Sequence, residues 1–291
     1  MEVLTRPELL VRLGGRRALD TALATGAWSR VMYGAYVPAG VVLDVVVRAR
    51  AAQRLLPAHA YVADRCLLWL LGVDVLPPGT PVLECVVPRG VVVPRRQGLR
   101  VREAALPRRD RYRLHDVRCL RPTRAVADLL RRLPLAEAVV VADASRRARL
   151  CTEQQLRDEL LAHAKLRGVR QARDVLDLSD PRAESPPESR VRLLLVQAGL
   201  APVPQYDVFG PDGDWLARVD LAFPELRIAV EYDGRAVHER ADVFTRDRQR
   251  QNALVAAGWV VLRFSAEDLR LRKAQIVQTV LAAVRRAQQA A

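Results

Sequence analysis

The sequence predicts an α/β protein. Its last third reads as a mixed sheet flanked by helices, preceded by two short helices with a hairpin and then by a mixed α/β stretch. Three observations carry this prediction. Ala217–Phe223 and Leu226–Gly234 alternate apolar and polar residues on either side of Pro224-Glu225, the pattern of a half-buried hairpin. Capped helical patterns open at Ser185 and Ser265 and bracket that hairpin. A polar stretch with three prolines, Asp177–Pro187, separates this block from what precedes it and sets a boundary near residue 180.

At the N-terminus, Thr5-Arg-Pro-Glu8 reads as a capping box opening a helix that ends at Gly14-Gly15. Arg16–Ala24 is a second helical stretch with Gly26 as its stop, and Trp28–Met32 and Ala35–Val37 form a hairpin around Tyr33-Gly34. This is the outline of a small winged helix-turn-helix over residues 1–40. Arg16 and Arg17 start its second helix and Arg30 stands on the wing, as candidate DNA contacts. The alternative is a mini-domain that only packs on its neighbour.

Residues 41–178 read as mixed α/β. Val41–Leu56, Tyr61–Leu71, a segment from Arg121, Leu135–Arg149 and Thr152–Leu176 are helical patterns, while Val82–Pro88 and Leu99–Glu103 are strands. No nucleophile lies beside a base, and His59, His115 and His163 read as structural or surface residues.

The third segment, 183–291, carries the chemistry. Ser185-Pro-Pro-Glu188 is an N-cap, a first-turn proline and a capping-box acid, so Glu188 has a complete structural role and is also a candidate site residue. Pairing the hairpin across Pro224-Glu225 sets Val219 against Val230, Leu221 against Ile228 and Phe223 against Leu226, an apolar face. Asp220, Glu231 and Asp233 then share the opposite face beside the small Ala222 and Ala229. Three carboxylates brought together repel unless a cation intervenes, and an all-oxygen set suits Mg²⁺ or Mn²⁺. Such an ion activates water and stabilises charge on a phosphate. The competing reading is a solvated polar strand face. His238 follows the Asp233-Gly234 turn as a candidate acid, base or phosphate contact. Arg246 and Arg250, four apart on one helix, form a candidate phosphate clamp.

The chain has 291 residues, half of them hydrophobic, and a formal charge of +14. Nearly all of the basic residues are arginine, with lysine only at 165 and 273. This favours a polyanionic partner, although a GC-rich genome also inflates arginine. No apolar run reaches the roughly 18 residues of a membrane helix, and the N-terminus lacks a signal peptide's apolar segment, so a cytoplasmic protein without membrane contact is expected. Cys66, Cys85, Cys119 and Cys151 have no metal-ligand spacing and read as buried small hydrophobes.

The order helix with Glu188, strand with Asp220, strand with Glu231-Tyr-Asp233-Gly234, His238, a helix with Arg246-Asp247 and Arg250, and Gly258-Trp259 leading to Arg263-Phe264 resembles a known family. It is similar to the bacterial endonuclease-related domains of the very-short-patch-repair (Vsr-like) type, within the PD-(D/E)XK nuclease superfamily. The resemblance spans roughly residues 183–275. It implies a restriction-endonuclease-like sheet and Mg²⁺-dependent phosphodiester cleavage. Asp233 stands where the superfamily carries lysine, which leaves the general base open between His238 and metal-bound water. More loosely, Trp28–Val37 and Arg121–Asp128 resemble the winged-helix region and following domain of AbiEi-type antitoxins. That resemblance implies a DNA-binding module and a toxin or defence-system partner.

The first functional expectation is therefore a metal-dependent DNA endonuclease or nicking enzyme with no organic cofactor. In it Asp220, Glu231 and Asp233 hold the metal, Glu188 supports them, and Arg246, Arg250 or His238 neutralises the phosphate. The second is a DNA-binding regulator of antitoxin type that keeps a nuclease fold as a scaffold. An RNA-directed enzyme is compatible with the same residues.

Overall fold

The computed structural model describes residues 2–233 and 241–290, and for 241–247 the backbone alone. The chain divides into two compact units, residues 1–132 with 148–173, and residues 133–147 with 174–291.

The first unit opens with β1 (Leu4–Thr5), α1 (Arg6–Leu13), α2 (Arg16–Ala24), β2 (Trp28–Met32) and β3 (Ala35–Pro38). The Thr5 amide donates to the Glu8 carboxylate at 2.8 Å, so the capping box forms, and Gly14 ends α1 with φ +83. The three strands form an antiparallel sheet in the order β1-β3-β2. The element order expected from the sequence is present, but residues 1–40 are not a separate body. Val31, Met32 and Val37 lie in one apolar core with Val47, Val62 and Leu67, whereas Tyr36 of the same hairpin packs with Leu9 and Leu19 of α1 and α2.

That core continues through α3 (Val45–Leu55), β4 (Tyr61–Val62), α4 (Asp64–Leu70), β5 (Leu83–Pro88), β6 (Leu99–Ala104), β7 (Arg111–Leu114), β8 (Val117–Leu120) and α5 (Pro122–Arg132). A mixed five-stranded sheet runs in the order β6-β5-β4-β8-β7. One expectation is corrected here. Tyr61-Val62 is a central strand and not the start of a helix: it pairs with β5 and β8 on its two sides, and a fully buried strand has the same continuous apolar run as a buried helix. The charged residues of β7 hid a strand whose side chains are mostly exposed.

Next comes α6 (Leu135–Arg147), which belongs to the second unit. The segment after it, read from the sequence as one helix, is two, α7 (Glu153–Ala162) and α8 (Val169–Leu178). Gly168 between them has φ +84 and lies against the Arg131 carbonyl, a position that a Cβ would not fit. All four cysteines are buried and form no disulfide, and burial pushes the Cys85 and Cys119 thiols up, to about 11 and about 12.

The second unit adds α9 (Pro186–Gln197), β9 (Val203–Phe209), β10 (Trp215–Phe223), β11 (Ile228–Asp233), α10 (Ala241–Ala256), β12 (Val260–Ser265), α11 (Ala266–Leu271) and α12 (Lys273–Ala290). Its sheet runs β12-β11-β10-β9, with β12 parallel to β11 and the other pairs antiparallel. One face packs Leu221, Phe223, Ile228 and Val230 against Val191, Ile276 and Val280. The other packs Ala222 and Ala229 against Leu254 and Trp259.

α6 joins this unit through buried charge. Arg192 on α9 donates to Asp143 on α6 at 2.9 Å and to the Leu178 carbonyl at 2.8 Å, and the Asp180 amide donates to the other Asp143 oxygen at 2.7 Å. Arg190 donates to Glu137 at 2.9 Å. The sequence-based boundary near 180 therefore falls inside the contacts of this unit, because a proline-rich connection marks a turn and not by itself the edge of a core.

Candidate active site

The hairpin fixes the site. Leu221 pairs with Val230, Ala222 with Ala229 and Phe223 with Ile228. This register lies two residues from the expected one, so each side chain keeps its face. The turn takes up the difference: Pro224–Leu226 is a short 3₁₀ turn closed by Arg227 at φ +50, a longer connection than the two-residue turn expected. The next position in this register sets Asp220 opposite Glu231.

The faces do not run unbroken. Ala217 and Val219 pack with Ala222, Leu254 and Trp259, whereas Leu221 packs on the opposite side of the sheet. Residues two apart in a regular strand share a face, so β10 turns over at Asp220. This corrects the expectation that Val219 and Leu221 lie on one apolar face.

Asp220 is half-buried and accepts a hydrogen bond from the Tyr232 amide at 2.8 Å. Burial pushes its carboxyl up to about 6. The Tyr232 amide and Arg250 oppose that rise, while Glu188 and Glu231 reinforce it.

Glu231 is buried at 6% exposure. It accepts from Arg263 Nε at 3.0 Å and from Arg250, which also donates to the Arg218 carbonyl at 2.6 Å. Arg263 entered the sequence reading only as a residue of the family resemblance, without a role at the site. The parallel register that sets it beside Glu231 depends on β12, which is distant in sequence.

Glu188 closes the group from the N-terminus of α9, buried at 8%. It accepts from the Glu184 amide at 2.8 Å, the Ser185 hydroxyl at 2.7 Å and Gln205 Nε2 at 2.8 Å. It thus ties down the start of α9 through the Glu184 amide and the Ser185 hydroxyl, and not through the Ser185 amide that the expected capping box would use, and it is also a charge felt by Asp220.

Asp233 is exposed at the end of β11, in register with Ser265. His238 lies outside the described residues. Arg246 lies on α10, with its side chain outside what is described.

Among the described residues, one group of three metal-capable side chains brings an atom of each within 4.8 Å of the others, and it is not Asp220, Glu231 and Asp233. It is Asp110, Glu159 and His163 in the first unit. Glu231 is already compensated by Arg250 and Arg263. The first-unit group is compensated too. Arg124 donates to Asp110 at 2.6 Å and lies 2.9 Å from His163 Nε2, and Arg121 pairs with Glu159. His163 Nε2 also lies 3.1 Å from Glu159. The donor set around Asp220 nonetheless fits a hard divalent cation: the groups are carboxylates, and a carboxyl held up to about 6 by burial and two neighbouring acids gains from an adjacent positive charge.

Arg16 and Arg17 are exposed at the start of α2. Arg30 is exposed on β2, with its guanidinium stacked 5.9 Å from the Tyr33 ring centre and 5.6 Å from that of Tyr36.

Residues 188–284 match the family model REase_MTES_1575, a restriction-endonuclease-like family. The match begins at Glu188 and takes in Asp220, Glu231, Arg250 and Arg263, and it supports a nuclease-like C-terminal domain. Across nearly its whole length the chain is similar to two proteins of Mycobacterium tuberculosis, "Uncharacterized protein MT2308" (strain CDC 1551 / Oshkosh) and "Uncharacterized protein Rv2248" (strain ATCC 25618 / H37Rv). Each is 28% identical over 285 residues, covering 94% of this chain and 99% of the relative. The crystal structure of RV2827C protein from Mycobacterium tuberculosis aligns with 73% of this chain and 85% of its own, at 17% identity and a TM-score of 0.33. No helix among the described residues is long and apolar enough to cross a membrane.

Proposed function

We propose that the protein is a divalent-metal-dependent endonuclease that cleaves or nicks DNA, with its N-terminal region as a DNA-binding module. The observation that carries this reading is the raised carboxyl of Asp220 between Glu188 and Glu231, inside the segment similar to restriction-endonuclease-like proteins. In this reading Asp220 and Glu231 hold Mg²⁺ or Mn²⁺, Asp233 completes the set, and Glu188 orients Asp220 through its charge. The ion, when bound, supplies an activated water and stabilisation of charge on the phosphate. The protein's own steps are then few. Asp220 and Glu231 would hold the ion as carboxylates, and Arg250 and Arg263, which lie on Glu231, would stand beside a bound phosphate, which suits their bidentate geometry. Arg16, Arg17 and Arg30, on what we read as a winged helix, neutralise the DNA backbone.

A second reading is supported by one observation. The compensation of Glu231 by two arginines, together with Asp233 at the position of the superfamily's lysine, suits a nuclease fold retained as a scaffold in a DNA-binding regulator of antitoxin type. Relaxation of supercoiled plasmid in Mg²⁺ or Mn²⁺ separates the two. Nicking by the wild type that is lost in Asp220→Ala supports the enzyme. A wild type that binds the plasmid and leaves it intact in both metals sinks the enzyme and leaves the regulator.

A further inference from the structure

Gln205, on β9, has φ +50, a left-handed conformation in the middle of a strand where neither glycine nor a turn calls for it. Its neighbours are in regular register: Pro204 pairs with Leu221 and Tyr206 with Val219. Gln205 therefore stands across from Asp220, at the point where β10 turns over from one face of the sheet to the other. Such an irregularity re-aims a side chain, and Gln205 Nε2 is aimed at Glu188, donating to Oε2 at 2.8 Å. A non-glycine residue held left-handed costs free energy that glycine would not, and such positions gather at functional sites.

The residue type is informative. A glutamine amide offers one donor and one acceptor and no charge. Toward Glu188 it must present its NH₂, because the reverse orientation would set its carbonyl against the carboxylate. A basic residue here would cancel charge that a cation needs, and an acidic one would repel Glu188 and Asp220. We propose that Gln205 is a positioning residue of the acidic centre, strained in backbone so that its amide holds Glu188 toward Asp220 without neutralising either. The proposal rests on the metal-site reading of Asp220 and Glu188 and adds to it a residue and a role.

The test uses the full chain and the variants Gln205→Gly, Gln205→Ala and Asp220→Ala. Thermal unfolding is followed in chelator, Mn²⁺ binding by calorimetry, and nicking on supercoiled plasmid. Gln205→Gly is expected to melt above Gln205→Ala, since both lose the bond to Glu188 and only glycine relieves the left-handed strain. Gln205→Gly and Gln205→Ala should each bind Mn²⁺ about tenfold more weakly, the usual effect of losing a residue that orients a ligand. In nicking they should lose kcat with little change in KM for plasmid. A Gln205→Gly protein that binds Mn²⁺ as tightly as the wild type, or that melts below Gln205→Ala, overturns the inference. If the wild type binds Mn²⁺ and the Gln205 variants do so weakly, but none nicks plasmid, the hydrolase reading fails and the positioning role stands. If Asp220→Ala binds Mn²⁺ at full affinity, the metal site itself is refuted and Gln205 with it.

Discussion

Replacing Asp220 by asparagine should stabilise the metal-free protein. A carboxyl raised from 3.8 to about 6 in the fold opposes folding at neutral pH. At roughly 1.4 kcal/mol per pH unit this is at most about 3 kcal/mol. Asp220 is half-buried, and screening by solvent brings the figure to about 1–2 kcal/mol. Asparagine keeps an oxygen for the Tyr232 amide and has no charge to desolvate. The sign with pH follows from proton counting. Between 3.8 and about 6 the native state binds more protons than the unfolded chain, so this group's contribution falls as pH rises through that window and is level above it. In chelator at pH 8, Asp220→Asn should therefore melt roughly 3–8 °C above the wild type. The gap should shrink to about half at pH 5 and nearly close by pH 4. Addition of Mn²⁺ should raise the wild type and leave the variant unmoved. Thermal unfolding at these pH values, with and without Mn²⁺, provides the measurement. A variant less stable than the wild type at pH 8, or a gap independent of pH, would refute the account of Asp220 as a carboxylate held against its preference.

The neighbouring acid should behave in the opposite way. Glu231→Gln removes the charge partner of Arg250 and Arg263, so it should destabilise the chelated protein by about 2–3 kcal/mol in denaturant unfolding, and equal stability would contradict those pairs. Arg192→Ala leaves Asp143 buried without its guanidinium and should cost about 3–5 kcal/mol by the same assay; a loss under about 1 kcal/mol would show that α6 is not anchored there. Arg16→Ala with Arg17→Ala should weaken duplex binding and lower the slope of log affinity against log salt by about 2, and an unchanged slope would remove α2 from the DNA-binding surface.

Much of the acidic hairpin was legible because period-2 alternation depends only on sequence parity. A register wrong by two residues still kept Asp220 and Glu231 on their faces, since an even slip preserves parity. The reversal at Asp220 was not legible: it lies across from Gln205, a residue whose type does not announce a left-handed conformation. Glu188 was legible as a cap because capping is local, and its second partner, Gln205, was not, because that contact spans 17 residues. Arg250 was expected on a phosphate and is found on Glu231, since a guanidinium without phosphate takes the nearest buried carboxylate. The central strand Tyr61-Val62 was missed for a similar reason, as only the pairing of distant strands distinguishes a short buried strand from a helix.

The placement of α6 has a consequence for synthesis and dissection. The ribosome releases one helix of the second unit before the last segment of the first unit has been made, and that helix must wait about 40 residues for α9. During that interval Asp143 lacks Arg192 and Glu137 lacks Arg190. A fragment cut at the proline-rich connection and expressed from residue 183 would begin without this helix, leaving Arg192 with no buried carboxylate. The nuclease-like part should thus be excised as a graft, with residues 133–147 supplied alongside 174–291, and not as a simple C-terminal truncation.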